Sequence, residues 1–274
     1  MITKKKDKDT TFRILLQEIK IRVIRVSSSI IISIFICMTM SITFISFQGL
    51  KVPIIDFNPY HNISIQTISF MKDTLLPKSV VLIQVAPGQA FTAQIYVSIT
   101  IGMIICLPII LREILAFIAP ALYLNERITI MEFFFPSIIL FVLGVTFSYF
   151  IALPSTIEFL YRYGESMDVT LFFDINQFIT FTVQFLFLFG FSYQLPLIMV
   201  LFTKLHIVKP NFWKTSFRYI VLILILFGAF ITPDGSGVTM WFVSAPLLGL
   251  YLIGIIIIKA KFKVNENNIE SFTR

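Results

Sequence analysis

The sequence has few charged residues for its length. Only 14 % of its 274 residues are Asp, Glu, Lys or Arg, whereas 57 % are hydrophobic. An average soluble domain carries roughly 25 % charged residues. A chain this apolar cannot cover its surface with polar groups in water. The composition therefore argues against an ordinary soluble domain and predicts a protein whose solvent is lipid.

Cysteine and histidine are also scarce. Cys37 and Cys106 both lie in apolar segments, so we expect them to be buried and not part of a disulfide framework. His61 and His206 fall on opposite sides of the membrane in the topology given below, and no Cys/His cluster has metal-ligand spacing. Phosphate-binding glycine loops and nucleophile elbows are missing in any suitable context. We expect no enzyme, no catalytic residues, no cofactor and no metal site.

Long apolar runs dominate the chain. Their continuous apolarity and their length, about 20 residues in most of them, favour membrane-spanning helices over the alternating short strands of a barrel. The predicted fold is an all-α polytopic membrane protein, one domain over 1–274 with flexible cytoplasmic tails at 1–11 and 262–274. The six predicted transmembrane helices cover 26–47, 90–111, 133–153, 178–203, 218–232 and 240–258.

Two of these spans have unusual features. The fourth contains Pro196, which predicts a kink or a tilt. The fifth lies between Arg218 and Pro233. Its roughly 15 apolar residues reach about 22 Å, which is short of a hydrocarbon core near 30 Å. We expect it to thin the membrane locally or to be covered by neighbouring helices.

The distribution of basic residues predicts the orientation. Eighteen of the 22 Lys and Arg residues lie in the two terminal segments and in the loops 112–132 and 204–218. The connections 48–89 and 154–177 hold the other four. Since positive charge accumulates on the cytoplasmic side, both termini are predicted to be cytoplasmic and 48–89 to be a long extracytoplasmic first loop. This placement also explains the net charge of +7 without nucleic acid as a partner.

The first loop contains one stretch with helical periodicity. Ile65, Ile68, Met71 and Leu75 recur at helical spacing. The pattern favours a short amphipathic helix that lies on the outer membrane surface or caps the bundle, with a solvated loop as the alternative.

The most specific string joins the second and third spans. Residues 117–127 read Phe-Ile-Ala-Pro-Ala-Leu-Tyr-Leu-Asn-Glu-Arg, an apolar segment that ends in charge. Here the chain resembles the TatC family, the multispanning C subunit of the twin-arginine protein translocase. The resemblance extends from about residue 12 to 260. Its other parts are Leu16–Arg22, Leu143–Phe150 followed by Pro154, Phe189–Pro196, Arg218, Thr232-Pro233-Asp234, Pro246 and Tyr251.

The resemblance implies a function as well as a fold. Members of this family act as receptors for Arg-Arg signal peptides and as the core of a translocase that moves folded proteins with the proton gradient. It implies single-span TatA/TatB-type subunits, signal peptides of folded cargo, the lipid bilayer and other copies of the chain as partners. A plasma membrane is the expected location, ahead of an organelle inner membrane.

Two carboxylates are expected to bind the signal. Glu18 and Glu126 lie at the predicted cytoplasmic headgroup level, and arginine pairs with carboxylates through charge-assisted, often bidentate, hydrogen bonds. Each has a local alternative, because Glu18 can pair with Arg22 four residues later and Glu126 with its neighbour Arg127. The expected signal-binding residues are Glu18, Lys20, Arg22, Phe117, Pro120, Leu122, Tyr123, Glu126 and Arg127.

A second set of residues is expected to contact partner subunits. Gln194 is a polar side chain inside a span, and such residues face protein or a water-filled cavity. An internal contact with a neighbouring helix is the alternative. The family often has Glu at this position, which puts a titrating role in doubt, and Leu252 stands where it often has another Glu. The expected partner-contact residues are Gln194, Pro196, Asp234 and Tyr251.

Two other classes of function are open to comparison. A proton- or ion-coupled small-molecule transporter would need ionisable residues near the bilayer midplane and broken helices in corresponding halves. An intramembrane enzyme would need a nucleophile, an acid–base pair or a metal cluster. The central parts of the predicted spans have essentially no Asp, Glu, Lys or Arg, so neither class is favoured.

Overall fold

The computed structural model describes residues 2–47, 50–77, 80–118, 132–167, 172–231 and 237–270. By its internal contacts the chain divides into two compact units. The first unit comprises Met1–Lys72 with Gln84–Arg127, and the second comprises Asp73–Ile83 with Ile128–Arg274. The prediction of one membrane domain with flexible tails stays a prediction.

The first unit is built on two long helices that pack together. They are α1 (Ile2–Thr39) and α3 (Gln89–Ile118). An antiparallel hairpin of β1 (Met40–Phe47) and β2 (Leu50–Phe57) follows α1, and α2 (Ile63–Leu75) follows the hairpin.

The hairpin corrects the predicted first span. That span was placed at 26–47, but α1 ends at Thr39 and the next eight residues form β1. In the first half of β1, apolar residues alternate with Ser41 and Thr43, which is the period of a half-buried strand. Its mean apolarity is nevertheless high enough to extend a helix signal, which is why hydropathy alone misplaced the boundary.

The amphipathic helix in the first loop is confirmed as α2. Met71 and Leu75 are each 5 % exposed, whereas Ser69 and Asp73 are exposed. Asn62 precedes the helix and caps it, because its Oδ1 accepts a hydrogen bond from the backbone N–H of Ile65 at 3.0 Å. The position of α2 relative to the membrane stays a prediction.

The second unit contains the remaining helices and a two-stranded parallel sheet. The sheet pairs β3 (Val81–Ile83) with β4 (Phe172–Asp174). The helices are α4 (Phe134–Phe147), α5 (Leu153–Glu165), α6 (Ile175–Ser192), α7 (Leu195–Lys204), α8 (Pro210–Thr215), α9 (Phe217–Ile231) and α10 (Val238–Glu270).

A π-helical turn joins α4 to α5. It covers Ser148–Ala152, and the backbone N–H of Leu153 donates to the Ser148 carbonyl, five residues earlier. Pro154, two residues after the end of this turn, has no N–H to continue an α-helical ladder, so the wider turn accommodates it. The third span thus continues to Glu165, well beyond the predicted end at residue 153.

The predicted kink in the fourth span is confirmed. The helix breaks at Tyr193 and Gln194, and Pro196 lies in the first turn of α7. At its start, Asp174 caps α6 by accepting hydrogen bonds from the N–H groups of Asn176 and Gln177. The Asp174 cap fixes where α6 begins, and Pro196 fixes where α7 begins. The two helices are therefore two segments of one apolar span.

The number of spans agrees with a six-helix membrane bundle. Among the described residues, five helices are long and apolar enough to cross a membrane, and Phe217–Ala229 is a shorter apolar helix. That shorter helix is the predicted short fifth span. The five longer helices cover Leu16–Thr39, Gln89–Phe117, Phe134–Glu165, Ile175–Lys204 and Val238–Phe262.

Close helix packing at small residues holds α4 against α6. A Cβ atom added to Gly144 would lie 2.6 Å from the Phe189 carbonyl oxygen, so only glycine fits at this crossing. Next to this contact, the Phe147 ring packs against Phe189 at 5.5 Å and Tyr193 at 5.8 Å between centroids. Glycine lets the backbones approach, and the aromatic rings fill the space beside them.

Candidate functional site: the ionic cluster of the first unit

Four charged side chains meet where α1 packs on α3. Glu18, Arg22 and Arg25 lie on α1, one turn apart, and Glu113 lies on α3. Arg22 donates from Nη1 to Glu113 Oε2 at 3.0 Å and from Nη2 to Glu18 Oε1 at 2.5 Å. Arg25 donates from Nη1 to Glu113 Oε1 at 2.5 Å. We call these four residues the ionic cluster.

Burial differs within the ionic cluster and is greatest at Glu113, which bonds both arginines. The exposed fraction of the side chain is 54 % for Arg25, 35 % for Glu18, 20 % for Arg22 and 5 % for Glu113. Arg22 also donates from Nη2 to the Ala116 carbonyl at 3.2 Å. A buried carboxylate is tolerated only when it is paired and hydrogen-bonded, so Glu113 fixes both guanidinium groups.

The structure therefore gives a mixed result for the predicted residues of α1. The local alternative for Glu18 is present, since both of its hydrogen bonds from Arg22 end on Oε1. Its role as a ligand for a signal stays a prediction. Lys20, two residues later, is exposed.

An apolar groove lies beside the ionic cluster. It encloses about 590 Å³ and includes Arg22 and Glu113 in its wall. Phe117, a predicted signal-binding residue, lines it and is 41 % exposed. The groove therefore combines apolar surface with a charged wall. Its remaining lining residues are Ile19, Val23, Val26, Ser27, Ile110 and Ile114.

Six of the predicted site residues cannot be placed. They lie outside the described residues, and their roles stay predictions. They are Pro120, Leu122, Tyr123, Glu126, Arg127 and Asp234.

Sequence reasoning missed Glu113. Two sequence features indicate it. Glu113 is a lone carboxylate in the apolar run of α3, and Arg22 and Arg25 are spaced to share one helix face. The pairing itself spans about ninety positions along the chain, as the separations of 91 and 88 residues show. No local pattern can predict such a contact.

The predicted partner-contact residues lie in the second unit. Gln194 donates from Nε2 to the Ser137 carbonyl at 2.9 Å, which is the internal contact named as its alternative. Tyr251 is 2 % exposed, and its hydroxyl donates to the Trp213 carbonyl at 2.5 Å. Pro196 is buried. Direct contact of Tyr251 with a partner would require local rearrangement.

One further ion pair lies at the start of the third span. Lys204 donates from Nζ to Glu132 Oε2 at 2.8 Å. This hydrogen bond holds the pKa of the Glu132 carboxyl below its usual value, with the attraction of the Lys204 charge as the next cause. Because the folded pKa is depressed, the pair contributes stability at neutral pH and loses it as the pH falls through that lowered pKa.

The described residues offer no obvious metal site. Within the six described ranges, no group of three or more His, Cys, Asp and Glu side chains is placed to hold a metal ion. Cys37 and Cys106 are buried free thiols, as the sequence predicts.

Comparison with known proteins identifies relatives along most of the chain. The family model described as Sec-independent protein translocase protein (TatC) matches residues 15–246. The Sec-independent protein translocase protein TatC of Cenarchaeum symbiosum (strain A) is 43 % identical over 198 residues, which are 72 % of this chain and 75 % of that protein. The chloroplastic TATC of Pisum sativum is 33 % identical over 192 residues, 70 % of this chain and 54 % of that protein.

A solved structure agrees with these matches. The crystal structure described as the twin arginine translocase receptor TatC superposes with a TM-score of 0.73 at 27 % identity, over 90 % of this chain and 98 % of that one. The likeness favours a translocase component over a small-molecule transporter. The chain belongs to the TatC family of Sec-independent protein translocase proteins.

Proposed function

We propose that this chain is the receptor and core subunit of a twin-arginine translocase. It binds the Arg-Arg signal peptides of folded precursor proteins at the cytoplasmic face and organises single-span TatA/TatB-type subunits for export driven by the proton gradient. The observation that carries the proposal is the partly exposed carboxylate of Glu18 in the ionic cluster, beside the apolar groove that Phe117 lines.

The chemistry of the signal explains why partial burial matters. A fully wet ion pair contributes only about 0–1 kcal/mol. A hydrogen bond to a charged group at a half-desolvated site contributes roughly 1.5–3 kcal/mol. Glu18, with 35 % of its side chain exposed, meets this condition. Glu126 is proposed to supply the second carboxylate. It lies beside Arg127 at the charged end of the segment that contains Pro120, Leu122 and Tyr123.

The apolar part of the signal is expected to add to this affinity. The groove beside the ionic cluster offers aliphatic and aromatic surface, and burial of apolar area contributes about 25 cal/mol per Å². Ionic recognition selects the arginines, and apolar burial adds strength. Neither contribution alone gives both affinity and selectivity.

Partner subunits are proposed to bind around the break in the fourth span. Gln194 is only partly buried and has a carbonyl acceptor as well as the amide that bonds Ser137. Pro196 creates the break, and Asp234 is proposed to contact partners from the last external turn. Tyr251 is proposed to act indirectly, because the hydrogen bond from its hydroxyl to the Trp213 carbonyl joins α10 to α8.

The proposed location is the plasma membrane, with both termini cytoplasmic. The bias of 18 basic residues against four supports this orientation. Protease added to intact cells tests it, because an epitope at the C-terminus should stay protected. Cleavage of that epitope would reverse the orientation.

Photocrosslinking tests the receptor function directly. A photoreactive residue at Glu126 should label an Arg-Arg signal peptide far more strongly than its Lys-Lys version, since lysine cannot form the bidentate pair. The same residue at Glu158 is the matched control, because Glu158 also pairs with an arginine, Arg162, but lies on the predicted external side. Equal labelling of both peptides from Glu126 would refute the receptor function.

A further inference from the structure

We propose that Glu113 makes the α1 surface able to accept a cationic signal, by neutralising and holding Arg22 and Arg25. Glu113 is a positioning residue: it acts through these two arginines, which occupy both of its carboxylate oxygens. The inference rests on the proposed receptor function and adds a residue that the sequence did not reveal. Its basis is the geometry of the ionic cluster.

The charge of the ionic cluster is balanced. Glu18 and Glu113 carry two negative charges, and Arg22 and Arg25 carry two positive ones. Without Glu113, two guanidinium groups would face a single carboxylate, and the surface that must receive paired arginines would itself be cationic. Like charges in an interface oppose association and reduce its rate. Glu113 therefore removes a repulsion at the binding surface.

Glu113 also competes with Glu18 for the N–H donors of the Arg22 guanidinium. Arg22 divides its donors among Glu18, Glu113 and the Ala116 carbonyl. Each contact with α3 holds part of the Arg22 guanidinium, which also donates to Glu18 Oε1 from Nη2 at 2.5 Å and from Nε at 3.3 Å. An incoming guanidinium must compete with Arg22 for the Glu18 carboxylate, so the hold that Glu113 exerts favours the incoming group.

Burial makes this arrangement persistent. The Glu113 side chain is 5 % exposed, and its two oxygens are each bonded to a different arginine. Removal of one partner from a buried ion pair leaves an uncompensated charge, so the cluster resists piecemeal rearrangement. Glu18, at 35 % exposure, is the carboxylate that solvent and a ligand can reach.

A second charge change tests whether Glu113 acts through its charge or only through packing. Peptide binding would be measured by fluorescence anisotropy on the full chain in nanodiscs, with Arg-Arg and Gln-Gln signal peptides. Glu113→Gln keeps the shape and should weaken Arg-Arg binding about tenfold, a typical effect of one partly desolvated charge. Glu113→Gln with Arg25→Gln restores neutrality and should return binding to within about threefold of the original chain.

The remaining variants keep the inference testable if Glu113→Gln fails to fold. Arg25→Gln alone changes a half-exposed residue and should tighten Arg-Arg binding about threefold, because it removes a positive charge. Glu158→Gln, whose carboxylate pairs with Arg162, is the matched control and should leave binding unchanged.

The outcomes are distinguishable. If the unaltered chain binds Arg-Arg and Gln-Gln peptides equally, the receptor function fails and the inference fails with it. If the unaltered chain prefers the Arg-Arg peptide and the Glu113→Gln variant binds that peptide with the same affinity, only the inference about Glu113 fails. Equal weakening in the single and double variants would also overturn it, since the role would then be packing. Unchanged binding in Arg25→Gln would contradict it in the same way.

Discussion

The two units join their elements with different contacts. In the first unit the ionic cluster and hydrogen bonds connect elements: Ser64 Oγ lies 2.6 Å from Ser98 Oγ, and Asn62 Nδ2 donates to the Met38 carbonyl at 2.8 Å. In the second unit some side chains bond their own helix, as Thr182 does with the Phe178 carbonyl at 2.9 Å, and a few, such as Gln194, bond a neighbouring helix. Aromatic rings and glycine contacts then join its helices.

The two kinds of contact suit different tasks, orientation of charged side chains in the first unit and apolar packing in the second. A polar network between elements fixes the direction of charged side chains, which is what selective recognition of a cation needs. Packing of rings and small residues gives a rigid apolar scaffold without exposed polar groups in lipid. We therefore expect changes in the first unit to act through hydrogen bonds and charge, and changes in the second through steric fit.

The largest expected effect on stability is at Asn62 in the first unit. Its side chain is fully buried and makes three hydrogen bonds, to Met38, Pro59 and Ile65. Asn62→Ala should lower the free energy of unfolding by about 3 kcal/mol, at roughly 1 kcal/mol per bond. Denaturant unfolding in detergent measures it.

The control is another asparagine of the same loop. Asn58 accepts one hydrogen bond through Oδ1, from the backbone of Tyr60. Asn58→Ala should therefore cost about 1 kcal/mol or less. Equal losses in the two variants would mean that the buried network does not hold the first unit together.

A smaller effect is expected at Gly144 in the second unit. A methyl group there would meet the Phe189 carbonyl and the Tyr193 ring, so α4 and α6 must separate. Gly144→Ala should lower the free energy of unfolding by about 2 kcal/mol, the range of overpacked cores. Gly249→Ala is the control, because a Cβ there meets no atom within 4 Å. If both substitutions behave alike, steric fit is not what joins these helices.

The smallest effect on stability is expected at Gln194. Gln194→Leu removes the hydrogen bond to the Ser137 carbonyl, which contributes about 1 kcal/mol between membrane helices. If Gln194 also contacts a partner, copurification of the single-span subunit should fall by more than this small destabilisation explains. Unchanged copurification with lowered stability would limit Gln194 to its internal bond.

The sequence predicted the helices well because apolar length is a local property. The spans of α3, α9 and α10 begin within two residues of the predicted positions. It missed the hairpin after Thr39, since an apolar strand continues the hydropathy of the helix before it. It also missed the π turn before Pro154, whose effect depends on hydrogen-bond register.

The candidate site was predictable only in part. The resemblance to the TatC family indicated Glu18 and Glu126, and the pairing of Glu18 with Arg22 follows from a spacing of four residues. The pairing of Glu113 could be found only from the packing of α3 on α1, because its partners are distant in the chain. Long-range ion pairs require the tertiary structure.

The ratio of two dissociation constants tests the central claim most directly. Arg-Arg and Lys-Lys signal peptides would be titrated against the full chain in nanodiscs and against Glu18→Gln, Glu126→Gln and the double variant. Recognition by paired carboxylates predicts a preference of about tenfold or more for Arg-Arg in the unaltered chain, or 1.4 kcal/mol, and a ratio near one in the double variant. An unchanged preference in the double variant would contradict the account.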